Sequence, residues 1–253
     1  MKIRFLGTHN AQTIDFAHTC FTADNRLLFD CGSTASRLNL SEQLSLRAIF
    51  ITHSHYDHIK DMPAIAMNRF LNGQHLPPLS VMALNSTLDD IKRYLFNGEI
   101  YTDFFEKGTL VTKEIRLGVP FEFDGYQITS IESIHKLPCV GYIVQKDARS
   151  LYYTGDTAIG FAHNFIKSGL SCDVLIVECT LENSLKGTTL HLTPSELKEE
   201  LKLINAYQGF YPAIFAVHRS VKQEINILKE MEKVSTELNT EIFCSTEGTE
   251  IEF

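Results

Sequence analysis

The sequence predicts an α/β protein in which two sheets lie between layers of helices. Strand-like apolar runs with no helical pattern between them fill residues 120–154, and from residue 160 onwards helical patterns alternate with apolar strands. Strands in series and strands that alternate with helices can both be accommodated by two sheets that are covered by helices. Because no shift in composition separates the two regions, residues 1–253 are expected to form one domain.

The first half of the chain carries four strand patterns and three helical patterns. The strands are predicted over residues 2–6, 26–30, 46–52 and 79–84. The helices are predicted from residue 33 onwards and over residues 62–71 and 86–96. Ser33 and Ser86 suit N-cap positions, and Pro63 suits a first helical turn. Residues 7–19 are expected to form a polar loop, and residues 97–118 show no clear periodicity.

The second half carries seven strand patterns and three helical patterns. The strands are predicted over residues 120–123, 126–134, 140–145, 150–154, 173–178, 213–217 and 242–243. The helices are predicted over residues 160–168, 193–205 and 221–238. The second of these opens with Thr193-Pro194-Ser195-Glu196, a capping residue followed by proline at the first helical position.

The charge balance limits the classes of partner. A formal net charge of −8, from 23 basic and 31 acidic residues, disfavours a general nucleic-acid binder, which would usually carry a basic stripe. An anionic substrate is not excluded, because bound divalent cations would dominate the local electric field.

The cysteines and the hydropathy predict a compartment. The six cysteines form no Cys-x-x-Cys pair, and their spacing suggests no disulfide framework. The first residues have no leader-like apolar core, and no run approaches the roughly 20 apolar residues of a membrane span. A reduced, cytoplasmic location without a membrane partner is expected.

The densest functional signal follows the strand at residues 46–52. Four potential metal ligands lie within six residues, namely His53, His55, Asp57 and His58. Alternation along an extended chain puts His53 and His55 on one side, so Asp57 and His58 must turn elsewhere. Two groups of ligands leaving one loop predict two ions, and imidazole with carboxylate suits zinc, manganese or iron. The position directly after a buried strand disfavours an ordinary histidine-rich surface loop.

Further ligand-type residues follow or end later strands. His135, Asp156, Glu178 and His218 all do so. The two oxygens of Asp156 could bridge two cations. Taken singly, each of these residues is also compatible with a turn, loop or strand-end position without a function. Their occurrence together with the histidine-rich loop favours a shared metal centre.

The candidate ligands and the residues beside them resemble the motifs of a known family. His53-Ser54-His55-Tyr56-Asp57-His58, followed by His135, Gly155-Asp156-Thr157 and His218-Arg219-Ser220, is similar to the metallo-β-lactamase superfamily. The resemblance implies a four-layer αββα sandwich with a dinuclear centre. It implies that His53, His55 and His135 hold one ion, and that Asp57, His58 and His218 hold the other. Asp156 would bridge the two divalent ions, for which zinc is the first choice and manganese or iron the alternatives.

Two further stretches narrow the resemblance. Residues 84–97 with Tyr101-Thr102-Asp103-Phe104, and His191-Leu192-Thr193-Pro194 before a helix, are similar to class II 3′,5′-cyclic-nucleotide phosphodiesterases. That family usually has leucine where Tyr56 stands and glycine or serine where Asp61 stands. The resemblance implies hydrolysis of a cyclic nucleotide such as cyclic AMP to the 5′-nucleotide by hydroxide activated between two metal ions.

The leaving 3′ oxygen needs a proton, and His191 is the predicted general acid. Glu178 could hold its ring through the other nitrogen, as a comparable pair does in the similar tRNA 3′-processing endonucleases. General acid catalysis contributes roughly 10²–10⁴-fold to the rate. Asp57 is assigned to coordination, with general-base action as a second role.

Other classes remain to be weighed. A tRNA 3′-processing endonuclease needs many phosphate contacts, and residues 58–135 contain no glycine- and basic-rich arm. A β-lactamase would normally be exported, and complete ligands disfavour a non-catalytic binding module. A small phosphodiester substrate is therefore expected, nucleic acid is not, and a homodimer stays open. Five aromatic residues could stack on a purine or serve as core or dimer contacts: Tyr94, Phe96, Tyr101, Phe104 and Phe105.

Overall fold

The computed structural model of the protein describes residues 1–188 and 190–253. These residues form two compact units, each built from separate stretches of chain. The first unit contains residues 1–7, 12–115 and 246–253, and the second contains residues 8–11 and 116–245. The expectation that residues 1–253 form one domain stays a prediction.

The first unit is built on a seven-stranded mixed sheet. Its strands are β1 (Lys2–Gly7), β2 (Cys20–Ala23), β3 (Leu27–Phe29), β4 (Ala48–Phe50), β5 (Leu79–Ala83), β6 (Leu110–Glu114) and β14 (Glu250–Glu252). They lie in the order β14-β1-β2-β3-β4-β5-β6. Strands β3 to β6 are parallel, and the remaining pairs are antiparallel. The carboxyl ends of β3, β4 and β5 therefore lie at one edge of this sheet.

Four helices belong to the first unit. They are α1 (Leu40–Ser45), α2 (Tyr56–Ile59), α3 (Met62–Asn72) and α4 (Asn85–Asp90), the last continuing into a π-helical turn, Ile91–Leu95. The predicted helix start at Ser33 is wrong. The Ser33 hydroxyl instead accepts a hydrogen bond from the His18 amide at 2.9 Å. Helix α1 begins after Asn39, which forms a reciprocal capping box with Glu42.

The two faces of this sheet carry different apolar residues, because side chains alternate along each strand. Leu28, Ile49 and Val81 join a buried cluster with residues of α3 and α4 such as Ile65 and Leu88. The opposite face carries a ladder of four buried rings, Phe5, Phe21, Phe29 and Phe50, whose successive centroids lie 6.0, 4.9 and 5.0 Å apart. Both faces are thus apolar, as expected for a sheet with buried parallel strands.

The second unit is built on another seven-stranded mixed sheet. Its strands are β7 (Phe121–Phe123), β8 (Tyr126–Glu132), β9 (Val140–Lys146), β10 (Arg149–Tyr153), β11 (Val174–Glu178), β12 (Ala213–Val217) and β13 (Ile242–Cys244). They lie in the order β13-β12-β11-β10-β9-β8-β7. Strands β7 to β10 are antiparallel, which confirms the predicted strand series, and β10 to β13 are parallel.

Three helices cover one face of the second sheet. They are α5 (Phe161–Lys167), α6 (Pro194–Gln208) and α7 (Glu224–Leu238). Helix α6 begins with the predicted cap, since the Thr193 side chain accepts from the Glu196 amide and the Glu196 carboxylate accepts from the Thr193 amide. Phe165, Leu201 and Ile227 from the three helices join a buried cluster with strand residues of β9 to β12.

Three strands were not predicted, and each lacks a clean pattern. Strand β2 lies directly after the polar loop, and β14 has only the sequence Glu-Ile-Glu. Strand β6 lies at the edge of its sheet within residues 97–118, and most of its side chains are exposed or half-buried. An edge strand with one shielded position does not produce the alternation that identifies strands in a sequence.

All six cysteines are free thiols, in line with the absence of a predicted disulfide framework. Burial raises the pKa of the Cys20 thiol to about 11 and that of Cys179 well above its ordinary value. Little reactive thiolate is therefore present at neutral pH. Within residues 1–188 and 190–253, no helix is both long enough and apolar enough to cross a membrane.

A buried acid from α6 caps α5. Residue Gly160, the N-cap of α5, has no side chain to accept a hydrogen bond and adopts φ 102°. The Glu200 carboxylate, which is only 2% exposed, accepts from the amides of Gly160 and Ala162 at 2.8 Å each. Helix α5 starts five residues after Asp156, so this contact also fixes the end of the Asp156 loop.

We expect Glu200→Ala to lower the free energy of unfolding by about 2–4 kcal/mol, because two amides lose their acceptor. Urea denaturation measures this loss. Glu199→Ala is the matched control, since that side chain is exposed on the same helix. Equal stabilities for the two variants would contradict the capping role.

Candidate metal centre

The histidine loop, defined as residues 53–58, begins beside a buried carboxylate in the first unit. Asp30 directly follows β3, is fully buried and adopts a left-handed backbone with φ 53°. Its Oδ1 accepts from the amide of Thr52 at 2.9 Å, and its two oxygens lie 3.1 and 3.0 Å from the Thr52 hydroxyl. Asp30 therefore joins the end of β3 to the segment that follows β4.

The first two histidines of the loop converge. His53 Nε2 lies 2.9 Å from His55 Nδ1, while His53 Nδ1 lies 3.0 Å from the Thr52 hydroxyl. A zinc ion holds imidazole nitrogens at about 2.0–2.1 Å, so two nitrogens on one ion lie roughly 3 Å apart. The predicted grouping of these two histidines on one side of the chain is therefore correct.

Asp57 and His58 belong to α2 and form the second pair of the loop. His58 Nδ1 donates to Asp30 Oδ2 at 2.8 Å, and His58 Nε2 lies 3.6 Å from Asp57 Oδ2. Gly32 makes this packing feasible, because a Cβ at that position would lie 2.2 Å from the Asp57 carbonyl oxygen. Tyr56, one of the two departures from the phosphodiesterase pattern, is 67% exposed between these ligand-type residues.

The strand-end cluster, defined as His135, Asp156, His191 and His218, lies in the second unit. Asp156 follows β10, and His218 follows β12 with φ 60°. One ligand atom each of Asp156, His191 and His218 lies within 4.8 Å of the others, a group that could hold a metal ion. His135 also has a ring nitrogen within 4.8 Å of an Asp156 oxygen, and its ring centroid is 5.2 Å from that of His191.

The loops that carry His135 and Asp156 are joined by hydrogen bonds. The Ser133 hydroxyl donates to the Thr154 carbonyl at 2.5 Å, and the Ile134 amide donates to the Thr157 hydroxyl at 3.1 Å. The Cys139 thiol donates to the Asp156 carbonyl at 3.4 Å. Residues on both sides of His135 therefore fix it relative to Asp156.

Glu178, at the end of β11, accepts hydrogen bonds from His191 of the strand-end cluster and from residues near its other members. Its Oε1 accepts from the Thr157 amide at 2.7 Å and from His191 Nδ1 at 2.8 Å. Its Oε2 accepts from the Thr180 hydroxyl at 2.5 Å, and that hydroxyl lies 2.9 Å from His218 Nδ1. The carboxylate is fully buried. The predicted contact between Glu178 and the second nitrogen of His191 is present.

The donor set fits a divalent metal. In His53, His58 and His218 the Nδ1 atom faces a protein oxygen, from Thr52, Asp30 and Thr180 respectively. This leaves Nε2 as the remaining ring nitrogen, the arrangement in which proteins present histidine to a metal. The first unit groups His53, His55, Asp57 and His58, and the second groups His135, Asp156, His191 and His218. The assignment of seven of these residues to two ions stays a prediction.

Several residues of the site were missed from the sequence. Asp30 ends an apolar run, which is the same signal that identified Asp156. Thr52 and Thr180 each lie beside or near a candidate ligand but are not ligand types themselves. Of the five aromatic candidates for stacking, Phe96 and Phe104 are fully buried and belong to the core, whereas Tyr94 and Tyr101 are 67% and 41% exposed.

Comparison with known proteins identifies the family of this chain. A family model described as a beta-lactamase superfamily domain matches residues 25–211. Ribonuclease Z from Halorubrum lacusprofundi is 26% identical over 156 residues, which cover 59% of this chain and 49% of that protein. The chain spans about half the length of the curated relatives it matches.

Solved structures match nearly the whole chain. The metallo-beta-lactamase fold protein YhfI from Bacillus subtilis is 20% identical with a TM-score of 0.81, and 99% of each chain is covered. Unliganded PDE1 from yeast is 16% identical with a TM-score of 0.81, and 98% of each chain is covered. The predicted αββα fold class is confirmed.

A buried ionic network supports the turn that carries His218. The guanidinium of Arg219 is fully buried and donates to the carbonyls of Ala216 and Ser245 at 2.7 and 2.6 Å. Its Nε lies 3.1 Å from both oxygens of Glu224, and His9 Nε2 lies 3.4 Å from one of them. Burial raises the pKa of the Glu224 carboxyl, but His9 and Arg219 outweigh this and hold the pKa below its ordinary value.

We expect Glu224→Gln to lower the free energy of unfolding by about 1–3 kcal/mol at pH 7. A carboxyl with a lowered pKa stabilises the folded state fully above its ordinary value of 4.5, and this contribution is lost as the pH falls through the lowered value. The difference between the variant and the unsubstituted protein should therefore shrink below pH 4.5. Urea denaturation across pH tests this, with Glu232→Gln on the same helix as the exposed control. A difference that does not change with pH would contradict the ionic role.

Proposed function

The chain belongs to the beta-lactamase superfamily, and on this premise we propose that it is a metal-dependent phosphodiesterase that hydrolyses a 3′,5′-cyclic nucleotide such as cyclic AMP to the 5′-nucleotide. The observation that carries the proposal is the contact of 2.8 Å between His191 Nδ1 and Glu178, in a cluster that also holds Asp156 and His218. In phosphodiester hydrolysis the 3′ oxygen departs as an alkoxide, so it needs a proton donor beside the metal ligands.

The proposed centre takes two divalent ions, zinc first, with manganese or iron as alternatives. His53, His55 and His135 would hold one ion, Asp57, His58 and His218 the other, and Asp156 would bridge them. When bound, such ions make water a nucleophile at neutral pH and neutralise the phosphoryl oxygens. The chemistry of the donors supports this assignment, because all seven are imidazoles or carboxylates and three of the imidazoles are oriented through Nδ1.

His191 is the proposed general acid, and Glu178 positions it. Because His191 Nδ1 donates to Glu178, the proton available to a leaving oxygen is the one on Nε2. The His191 side chain is 25% exposed while Glu178 is 1% exposed, so a substrate can reach the imidazole but not the carboxylate. Asp57 is proposed as a ligand with a second role as general base.

A small substrate fits the chain better than a long polyanion. The net charge of −8 opposes non-specific binding of RNA. Most residues between His135 and Asp156 form the antiparallel strands β9 and β10, which a short turn with left-handed Asp147 and Ala148 connects. Residues 135–156 therefore contain no extended arm. We propose a small phosphodiester as the substrate, no membrane or nucleic-acid partner, and a reducing, cytoplasmic location. A homodimer stays open.

The second candidate is processing of tRNA 3′ ends. The observation that favours it is that curated relatives at 26% and 33% identity are ribonuclease Z proteins. A substrate panel separates the two candidates. The purified protein would be loaded with zinc or manganese and assayed on 3′,5′-cyclic AMP, 3′,5′-cyclic GMP, bis(p-nitrophenyl) phosphate and precursor tRNA. Turnover of a cyclic nucleotide without cleavage of the tRNA supports the first proposal, and the reverse result supports the second.

We expect His191→Ala to reduce turnover of cyclic AMP by about 10²–10⁴-fold, because its alkoxide leaving group requires a proton. Hydrolysis of bis(p-nitrophenyl) phosphate should fall much less, because nitrophenolate leaves without protonation. Steady-state rates on the two substrates give the comparison. His163→Ala, an exposed histidine on α5, is the control. Equal losses on both substrates would contradict the role of His191 as general acid.

We expect Asp57→Ala to lose about one metal ion per chain, because one ion loses a carboxylate ligand. His191→Ala should keep the full metal content. Elemental analysis after gel filtration measures both variants beside Asp15→Ala, which removes an exposed carboxylate from a loop. Full metal content in the Asp57 variant would contradict its assignment as a ligand.

A further inference from the structure

The two units share one arrangement of side chains beside the candidate ligands. In each, a fully buried carboxylate accepts from a threonine hydroxyl and from the Nδ1 atom of one histidine, and the same hydroxyl contacts Nδ1 of a second histidine. In the second unit the members are Glu178, Thr180, His191 and His218. In the first unit they are Asp30, Thr52, His58 and His53.

Counting protons in the second unit fixes the direction of each hydrogen bond. Glu178 also receives the amide protons of Thr157 and Leu192, so its oxygens are acceptors. The Thr180 hydroxyl has one proton, and its contact of 2.5 Å with Glu178 uses it. Toward His218 Nδ1, at 2.9 Å, the hydroxyl can then only accept. His218 must therefore carry its proton on Nδ1, which leaves the lone pair on Nε2.

The same count holds in the first unit. The Thr52 amide donates to Asp30, which identifies Asp30 as the acceptor, and the Thr52 hydroxyl lies 3.0 Å from Asp30 Oδ2. The hydroxyl proton is thus used, and His53 Nδ1 at 3.0 Å must be the donor. His53 then also presents the lone pair of Nε2, the atom that lies beside His55 Nδ1.

We propose that Thr180 and Thr52 are positioning residues that hold His218 and His53 in the Nδ1-protonated tautomer and so prepare both rings to bind a metal through Nε2. Thr180 and Thr52 are 2% and 0% exposed, so bulk water is not available to replace their hydroxyls. Each hydroxyl depends on its carboxylate, because without Glu178 or Asp30 its proton could turn toward the imidazole and reverse the tautomer.

The inference rests on the proposed metal centre but not on the reaction or its substrate. A first experiment therefore uses metal-free protein. Two-bond ¹⁵N–¹H correlation spectra of the histidine rings at pH 8 distinguish the two neutral tautomers. We expect His218 and His53 to be Nδ1-protonated in the unsubstituted protein. In Thr180→Val, His218 should shift toward the Nε2-protonated form, and in Thr180→Ser it should stay Nδ1-protonated.

A second experiment measures zinc affinity by competition with a fluorescent chelator. Thr180→Val and Thr52→Val should each bind zinc about 10–100-fold more weakly, the usual cost of losing a partner of a metal-bound histidine. Thr180→Ser should bind as the unsubstituted protein does. Thr22→Val is the matched control, because Thr22 is buried in β2 and its hydroxyl has no hydrogen-bond partner among the described residues. This variant should keep full affinity.

Two results would overturn the proposal. One is an Nε2-protonated His218 in the unsubstituted, metal-free protein, and the other is unchanged zinc affinity in both valine variants. If a valine variant does not fold, the spectrum of the unsubstituted protein and the serine variant still decide the question. A chain that binds no zinc would refute the proposed metal centre, while the tautomers of the metal-free rings would still test the threonines separately.

Discussion

Two buried carboxylates, Asp30 and Glu178, are the constraint on which the candidate site depends. An ionised carboxylate without hydrogen bonds would be strongly unfavourable at full burial. Both accept hydrogen bonds from donors in different parts of the chain. Thr52 and Thr157 are next to candidate ligands, His58 is itself one, and His191 is the proposed general acid. The need to satisfy the buried charge thereby fixes the backbone and the rings that would hold metal.

The mixed sheets explain how so many polar groups reach one edge. In each unit the parallel strands end on the same side. Asp30 and Thr52 follow the neighbouring strands β3 and β4, and Asp156 follows β10 while Glu178 ends the neighbouring β11. The chain must turn sharply there, and two of the turning residues, Asp30 and His218, adopt left-handed backbones that cost side-chain-bearing residues energy. The network of Arg219 and Glu224 stabilises the second of these turns.

The sequence predicted the ligand types and most strands because these leave local signals. A histidine or acid after an apolar run is visible without knowing the fold. The contact between Glu178 and His191 is predicted from the leaving group's need for a proton together with the resemblance to tRNA 3′-processing endonucleases. Long-range partners leave no such signal. The His18 amide that donates to the Ser33 hydroxyl lies 15 residues away in sequence, and Glu200, whose carboxylate caps α5, lies 40 and 38 residues from the two amides that donate to it. These separations explain why the helix start at Ser33 was wrong and why Glu200 was missed.

The close approach of Gly32 to the Asp57 carbonyl has a consequence for variation in the family. Any side chain at position 32 would collide with the backbone that carries a candidate ligand, so mutation there is closed to every other amino acid unless α2 moves. Tyr56, one residue before Asp57, is 67% exposed, so a substitution there would disturb little buried packing. Substitutions that alter the surroundings of Asp57 would therefore be accessible at position 56 rather than at position 32.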